Sequence, residues 1–226
     1  MGFDTETTGL SRTADRIVTA AVVTRPGGLD QSAPDVIETW LANPGVEIPD
    51  RAAQVHGIST EYAREHGREP AQVLEEINAT LASQLERQAP VIVFNAGFDL
   101  PLLAADSSRH GVAGLSSRLG SAPQPVLDPL VLDRAVVPRR RGKRTLTDLC
   151  GHYRVPVPMD THQAHVDAQI TVLLLAAMLR AHPQLAEMSP AELDTFQRES
   201  HARWAKDLQD WHASQGRRRS ISPVWF

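Results

Sequence analysis

The reading of this chain turns on Gly2-Phe3-Asp4-Thr5-Glu6-Thr7-Thr8-Gly9-Leu10. Asp4 and Glu6 sit two positions apart, behind an aromatic residue and ahead of a threonine-rich turn. In a strand, residues i and i+2 project from the same face of the sheet. A strand here therefore aims two like charges into one small volume, where they repel unless a cation sits between them.

Composition bounds the rest. A length of 226 residues fits one large domain, or a domain with an appended segment, and a 42% hydrophobic content supplies a core. The single cysteine, Cys150, excludes an internal disulfide framework and suits a reducing cytoplasm. No basic or apolar leader stands ahead of Asp4, which argues against a signal peptide. The longest apolar run, residues 170–179, is short for a bilayer span. Net charge is −4, so the molecule as a whole does not attract nucleic acid. A local basic patch can still hold phosphates, because charge distribution matters more than the total.

Beyond the opening stretch, residues 17–24 are β-branched and read as a central strand. Pro26-Gly27-Gly28 turns the chain toward a partner strand at residues 36–41. After Asn43-Pro44-Gly45 a loop runs through Val55-His56-Gly57-Ile58. From Pro70 onward, Val73, Leu74, Ile77, Leu81 and Leu85 recur at helical spacing. Residues 91–94 form a short buried strand leading into Asn95-Ala96-Gly97-Phe98-Asp99, with a helix over 100–110. Val126-Leu127-Asp128 ends another short strand or starts a helix. The basic loop Arg139-Arg140-Arg141-Gly142-Lys143-Arg144 precedes a short helix that Thr145 caps, and residues 164–180 make the most hydrophobic helix. Strands alternating with helices after a strand-rich start give an α/β class with a mixed central sheet flanked by helices. The main domain covers 1–182. Residues 183–226 read as an appended helix, with Leu193, Phe196, Trp204, Leu208 and Trp211 as its stripe, followed by an arginine-rich tail.

Two further carboxylates belong with the opening pair. Asp99 follows a buried strand at a strand-to-helix corner, where sites of α/β folds gather. Asp167 lies in the first turn of the apolar helix, where the helix dipole favours an anion. His162 stands in the loop that leads in. Four carboxylates with open positions suit hard divalent cations such as Mg²⁺ or Mn²⁺. Two such ions, about 3.5–4 Å apart, would clamp the attacking and leaving oxygens of a phosphoryl displacement. His162 can then take the proton of the attacking water as general base.

Asp4-x-Glu6, Asn95-x-x-x-Asp99 and His162-x-Ala164-x-x-Asp167, in that order, resemble the three motifs of the DnaQ-like 3′–5′ exonucleases, in the DEDDh branch. The resemblance extends through Asp15-Arg16-Ile17, Val55-His56-Gly57-Ile58, Asp128-Pro129-Leu130-Val131-Leu132 and Leu146-Thr147-Asp148-Leu149-Cys150, covering residues 1 to about 180. It is similar in this to bacterial replicase proofreading subunits. The resemblance implies a ribonuclease H-like fold, a two-ion Mg²⁺ or Mn²⁺ site on Asp4, Glu6, Asp99 and Asp167, and release of nucleoside 5′-monophosphates from 3′ ends. The sister branch has a tyrosine where this chain has Gln163, which leaves His162 as the implied base. His165, two residues from Asp167 on a helix, points to another side. Thr5, Thr7 and Leu10 resemble the seat of the terminal nucleotide, with Leu10 as a wedge. Val55 and His56 resemble the wall beneath its base and sugar, and Asn95 and Phe98 flank Asp99. Phe94 stands where the family commonly has histidine.

Each residue also has a plainer reading. Asp-x-Glu alone marks a solvated strand end, Asp99 alone a helix cap, Asp167 alone a dipole-complementing residue, and His162 alone a surface loop residue. Taken jointly and in order, they favour the metal site. The 139–144 loop is either a solvated charged loop or a phosphate contact. The Trp204 and Trp211 stripe fits helix packing better than base stacking, and Cys150 fits a core position. The leading function is exonucleolytic hydrolysis of single-stranded or frayed DNA. RNA ends and an accessory role docked to a polymerase through the last helix are the alternatives.

Overall fold

The computed structural model describes residues 1–28, 33–158 and 162–226. Its strands are β1 (Gly2–Thr7), β2 (Ile17–Thr24), β3 (Val36–Leu41), β4 (Val91–Ile92) and β5 (Val126–Leu127). They form one mixed sheet in the order β3-β2-β1-β4-β5. β1 and β3 both run antiparallel to β2, whereas β4 is parallel to β1, and β5 to β4. Helices α1 (Asp50–His56), α2 (Thr60–His66), α3 (Pro70–Glu86), α4 (Ala96–Arg109) and α5 (Leu115–Leu119) precede β5 or lead into it. Helices α6 (Pro129–Val136), α7 (Leu146–Tyr153), α8 (Ala164–Ala181), α9 (Pro183–Ala186) and α10 (Pro190–Ser214) follow it. This is the mixed α/β sheet expected from the alternation of elements.

Two apolar layers sandwich the sheet. One joins Phe3 and Val22 to Val73, Leu74, Ile77, Leu81 and Leu85 of α3, the stripe read from the sequence, all of it buried. The other joins Ile92 and Leu127 to Ile170, Leu174 and Met178 of α8 and to Leu149 and Cys150 of α7. At 18 residues and a mean hydropathy of 1.3, α8 is long and apolar enough to cross a membrane, longer than the 170–179 run suggested. Half of it is buried inside the fold, where it packs on β1, β2 and α7, so its apolar surface is accounted for by the core.

Three local expectations shift. The loop before Ile58 is helix α1, which ends at His56 and is closed by Gly57 in the left-handed region at φ 78°. It is one short helix with few periodic apolar positions, which is why spacing missed it. The 91–94 strand stops at Ile92. Asn95 then adopts a left-handed φ of 61° and α4 starts at Ala96, so Asp99 sits in the first turn of the helix and not ahead of it.

Helix α10 packs on α6 and β5, and its buried face is more polar than its stripe suggested. Leu193 is buried, but Trp211 is half-exposed, while Asp194 and Gln197 are almost fully buried. These two side chains bond the outer edge of β5. Val126 N–H donates to Asp194 Oδ1 at 2.9 Å, and Asp128 N–H to Gln197 Oε1 at 3.0 Å. Gln197 Nε2 donates to the Val126 carbonyl. An edge strand's free backbone groups need partners once buried, and here a helix supplies them. Arg134 lies over the Trp204 ring at 4.4 Å, so that tryptophan serves packing. Past α10 the chain doubles back, with Ile221 N–H near Gln209 Oε1 at 3.4 Å. Trp225 is buried against Gly97, where an added Cβ would meet the Trp225 carbonyl at 3.1 Å.

The Gln197→Leu variant leaves buried backbone groups of β5 without partners, at a cost of about 1–3 kcal/mol each. A melting temperature lowered by several degrees is expected, at roughly 2–4 °C per kcal/mol for a chain of this size. Thermal unfolding followed by circular dichroism measures it, and an unchanged midpoint would show that these bonds do not hold the edge.

Candidate active site

The site is built on β1. Asp4 pairs across to Ala21 and Glu6 to Thr19, and the register then shifts so that Thr7 pairs with Ile17 and Val18 of β2 is the extra residue. Bulges bend the strand that carries the extra residue, here β2, and β1 ends just past the shift at Thr7, where the turn through Thr8, Gly9 and Leu10 begins. Alternation puts Phe3, Thr5 and Thr7 on one face and Gly2, Asp4 and Glu6 on the other. Helix α8 covers that second face at very short range. A Cβ on Gly2 would lie 2.4 Å from the Ala168 carbonyl oxygen and 2.7 Å from Val172 Cγ2. Asp167 precedes Ala168 in the same helix, so this approach carries its carboxylate to the opening pair. Carboxylate oxygens of Asp4, Glu6 and Asp167 all lie within 4.8 Å of one another.

Asp99 reaches the same cavity from α4, and Thr5, from the opposite face of β1, holds it. Thr5 Oγ1 donates to Asp99 Oδ1 at 2.6 Å. The turn that carries Asp99 is fixed by Asp128, which is completely buried. Asp128 Oδ1 accepts the Asn95 and Leu130 N–H groups, and Oδ2 accepts Ala96 N–H. Asp128 thus caps α6, with Pro129 behind it, and ties the start of α4 to it. The sequence placed Asp128 at a strand end or a helix start; its hold on Asn95 and Ala96 was not legible, because those residues lie far away in sequence.

Burial raises every carboxyl here, and neighbouring carboxylates add to it at Asp4, Glu6 and Asp99. Desolvation, then Asp99, Glu6 and Asp167, push Asp4 well above the usual carboxylate range. Glu6 rises to about 8, mainly by desolvation and then by Asp167 and Asp99. Desolvation takes Asp99 to about 7 against the pull of the Thr5 hydroxyl. Asp167 is also raised by desolvation, while the charge and backbone N–H of His162 pull it back. Asp167 Oδ1 is buried without a hydrogen-bond partner. An oxygen-only donor set with unmet charge and an orphaned oxygen fits a hard divalent cation.

These shifts set a pH dependence. A carboxyl raised on folding binds its proton more tightly in the folded chain than in the unfolded one, so the metal-free fold is favoured at low pH. It loses stability as pH rises from Glu6's ordinary 4.5 toward its folded value of about 8. In EDTA the melting temperature should fall across that window, and Mn²⁺ should abolish the fall by taking the place of the protons. Asp4→Asn should flatten the EDTA curve and remove most of the Mn²⁺ response. Parallel EDTA and Mn²⁺ curves for the parent chain would refute this account of the cluster.

Two cavities meet at Glu6. The acidic one, of about 430 Å³, is lined by Asp4, Thr5, Glu6, Asn95, Phe98, Asp99, His162 and Asp167, with Phe94, Leu130 and Arg144 to Leu146 closing it. His162 is solvent-facing and holds a left-handed φ of 75°. Non-glycine residues rarely keep that conformation, and those that do cluster at functional sites. The second cavity, of about 570 Å³, is lined by Thr7, Leu10, Val55 and His56 together with Gly9, Asp15 and Arg51. Leu10 is 84% exposed. His56 Nδ1 accepts Ile58 N–H at 3.2 Å, so the proton of the neutral ring sits on Nε2; burial lowers its pKa. Asp15 holds the turn under Leu10, accepting Thr8 Oγ1 at 2.9 Å and Ser11 N–H at 2.7 Å. Thr5 and Thr7 spend their hydroxyls internally, on Asp99 and on the Gly9 carbonyl. Cys150 is buried, with its thiol pushed up to about 11, and is chemically quiet.

A family model described as exonuclease, RNase_T, matches residues 1–175. PolC-type DNA polymerase III of Halalkalibacterium halodurans is 29% identical over 180 residues, which are 79% of this chain and 11% of that protein. A DNA polymerase III subunit epsilon-like protein of Rhodobacter capsulatus is 31% identical over 184 residues, 81% of this chain and 23% of that one. The chain therefore spans between about a tenth and a quarter of these curated relatives. Among solved structures, E. coli exonuclease I in complex with a dA16 oligonucleotide superposes with a TM-score of 0.67 at 17% identity, covering 80% of this chain and 41% of that one. Exonuclease X in complex with 5′ overhanging duplex DNA gives 0.58 at 19%, covering 86% and 97%. The sheet is thus of the ribonuclease H-like kind. The chain belongs to the exonuclease family, and within it to the DnaQ-like group.

Proposed function

We propose that this chain removes nucleoside 5′-monophosphates one at a time from the 3′ ends of single-stranded or frayed DNA. The observation that carries the proposal is the convergence of the Asp4, Glu6 and Asp167 oxygens in a cavity that also takes in Asp99 and His162. Asp4, Glu6, Asp99 and Asp167 would hold two divalent cations, Mg²⁺ or Mn²⁺, which when bound supply positive charge to the scissile phosphate and acidify the attacking water.

The chain's own residues do the rest. His162 faces solvent at the cavity mouth, where an imidazole nitrogen can accept the proton of the attacking water. Thr5 Oγ1–H fixes one Asp99 oxygen and leaves the other for a ligand. Asp128 keeps the first turn of α4, and with it Asn95, Phe98 and Asp99, in one position. The second cavity receives the terminal nucleotide: exposed Leu10 and Val55 offer apolar contact to base and sugar, and Thr7 and His56 line the wall. Because this cavity joins the acidic one at Glu6, a nucleotide seated there presents its 5′ phosphate to the carboxylates.

DNA is favoured over RNA because the relatives are DNA polymerase III proteins and the similar structures hold dA16 or duplex DNA. A zinc-bound form of E. coli exonuclease I supports a divalent ion in this fold. The same polymerase relatives support a replication partner, with α10 and the arginine-rich tail as its dock, and a reducing cytoplasm suits the lone buried Cys150.

Titrating Mg²⁺ or Mn²⁺ against labelled single-stranded DNA and RNA tests the reading directly. Mononucleotide release from DNA should require the metal, and Asp167→Ala should abolish it in a folded protein. Faster RNA degradation would move the substrate class to RNA, and full activity of Asp167→Ala would sink the site. His162→Ala should lower turnover by about 10²–10⁴-fold while keeping the metal-induced rise in melting temperature. Loss of that rise would make His162 a ligand and not the base.

A further inference from the structure

The basic loop between α6 and α7 divides its cations in two. Asp133, on α6 and completely buried, gathers the first group. Arg144 Nη1 donates to Asp133 Oδ2, and Arg140 Nε stands 3.4 Å from the same oxygen. The Tyr153 hydroxyl donates to Asp133 Oδ1 at 2.9 Å. Arg144 Nη2 also donates to the Val137 carbonyl at 2.7 Å, and Arg140 Nη2 to the Lys143 carbonyl at 2.7 Å, which closes the loop on itself. The two guanidiniums therefore face inward and act as pins. Arg139, Arg141 and Lys143, between and beside them, are exposed and make no ion pair among the described residues. The nearest carboxylate downstream, Asp148, is engaged in the Thr145 capping box.

This rim has a defined place. Arg144, Thr145 and Leu146 line the acidic cavity and take no part in the second one. A strand whose last nucleotide fills the second cavity, and whose scissile phosphate lies over the carboxylates, leaves the acidic cavity on the side of the loop. We propose that the loop over residues 138–144 is a pre-organised phosphate-binding rim for the single strand of DNA upstream of the scissile bond. Arg139, Arg141 and Lys143 are its contacts, and Asp133 is the positioning residue that holds them in place. Three exposed cations on a pinned loop lose less freedom on meeting phosphates than three on a loose one. Flexible single strands are bound in this way, by charge that tracks the backbone.

The inference rests on the exonuclease reading for the path of the strand, so its test reads equilibrium binding apart from hydrolysis. Fluorescence anisotropy of the full chain with a labelled single-stranded DNA, in Ca²⁺ to hold back turnover, gives the affinity at several salt concentrations. The Arg139→Ala/Arg141→Ala/Lys143→Ala variant should bind about tenfold or more weakly at low salt. Its slope of log affinity against log salt should shrink by about 2, roughly 0.7 for each phosphate of a single strand that is no longer neutralised. Asp133→Asn should weaken binding and raise KM for the oligonucleotide more than it lowers kcat. Its effect should be smallest on the p-nitrophenyl ester of thymidine 5′-monophosphate, which is too short to reach the rim. An unchanged salt slope in the triple variant overturns the rim. An Asp133→Asn loss that is equal on ester and oligonucleotide makes Asp133 structural and overturns its positioning role. A triple variant with the expected slope, in a chain that hydrolyses neither substrate, keeps the rim and fails the exonuclease reading.

Discussion

A glycine with no room for a methyl group sets the distance on which this site depends. At Gly2 the backbone of α8 comes so near β1 that any Cβ would press on the Ala168 carbonyl. The residue before that carbonyl is Asp167, and the residues two and four further along β1 are Asp4 and Glu6. One close approach therefore converts a carboxylate distant in sequence into a neighbour of the opening pair. A side chain at residue 2 would part helix and strand, and the cluster would open with them. Close packing at a single point thus fixes an electrostatic arrangement some residues away.

That arrangement is unfavourable on its own terms. Four carboxyls share a desolvated space: burial raises all of them, and Asp99 and Asp167 push Asp4 and Glu6 further toward protonation. The rest of the fold restrains them from separating: Thr5 holds Asp99 across the sheet, Asp128 anchors the turn beneath it, and α8 lies hard against Gly2. Repulsion held in place by packing is equivalent to affinity for a cation. The energy that a divalent ion gains on entering is the energy that the metal-free protein lacks. Catalytic sites commonly concentrate shifted pKa values for this reason.

What could be read from sequence was whatever a local period or a short motif encodes. Period-two alternation placed Asp4 and Glu6 on one face, and the 3.6-residue stripe of α3 placed its buried side. Thr145 was legible as a cap because the capping box lies within a few residues. The site residues were named through their motifs, and the structure brings Asp4, Glu6, Asp99, His162 and Asp167 to one cavity. The features that escaped were those decided by partners far away in sequence. Asn95 takes a left-handed turn because Asp128 receives the N–H groups of that corner, and α4 then starts early enough to include Asp99. The apolar stripe of α10 gave no hint that Asp194 and Gln197 face inward, since nothing in the local sequence says that a strand edge awaits them. The inward and outward division of the 139–144 loop likewise follows from Asp133, whose burial is a tertiary fact.

The bonds from α10 to β5 bear on how this molecule can meet others. Sheet proteins often recruit partners by lending an unpaired strand edge to an incoming extended segment. At β5 that route is closed, because Asp194 and Gln197 already occupy the backbone donors and acceptor that a visiting strand would need. An associating protein must either displace a 25-residue helix or use side chains alone on this flank. The last helix therefore makes the enzyme's flank a surface for recognition by shape and charge, where an open edge would have accepted almost any extended chain.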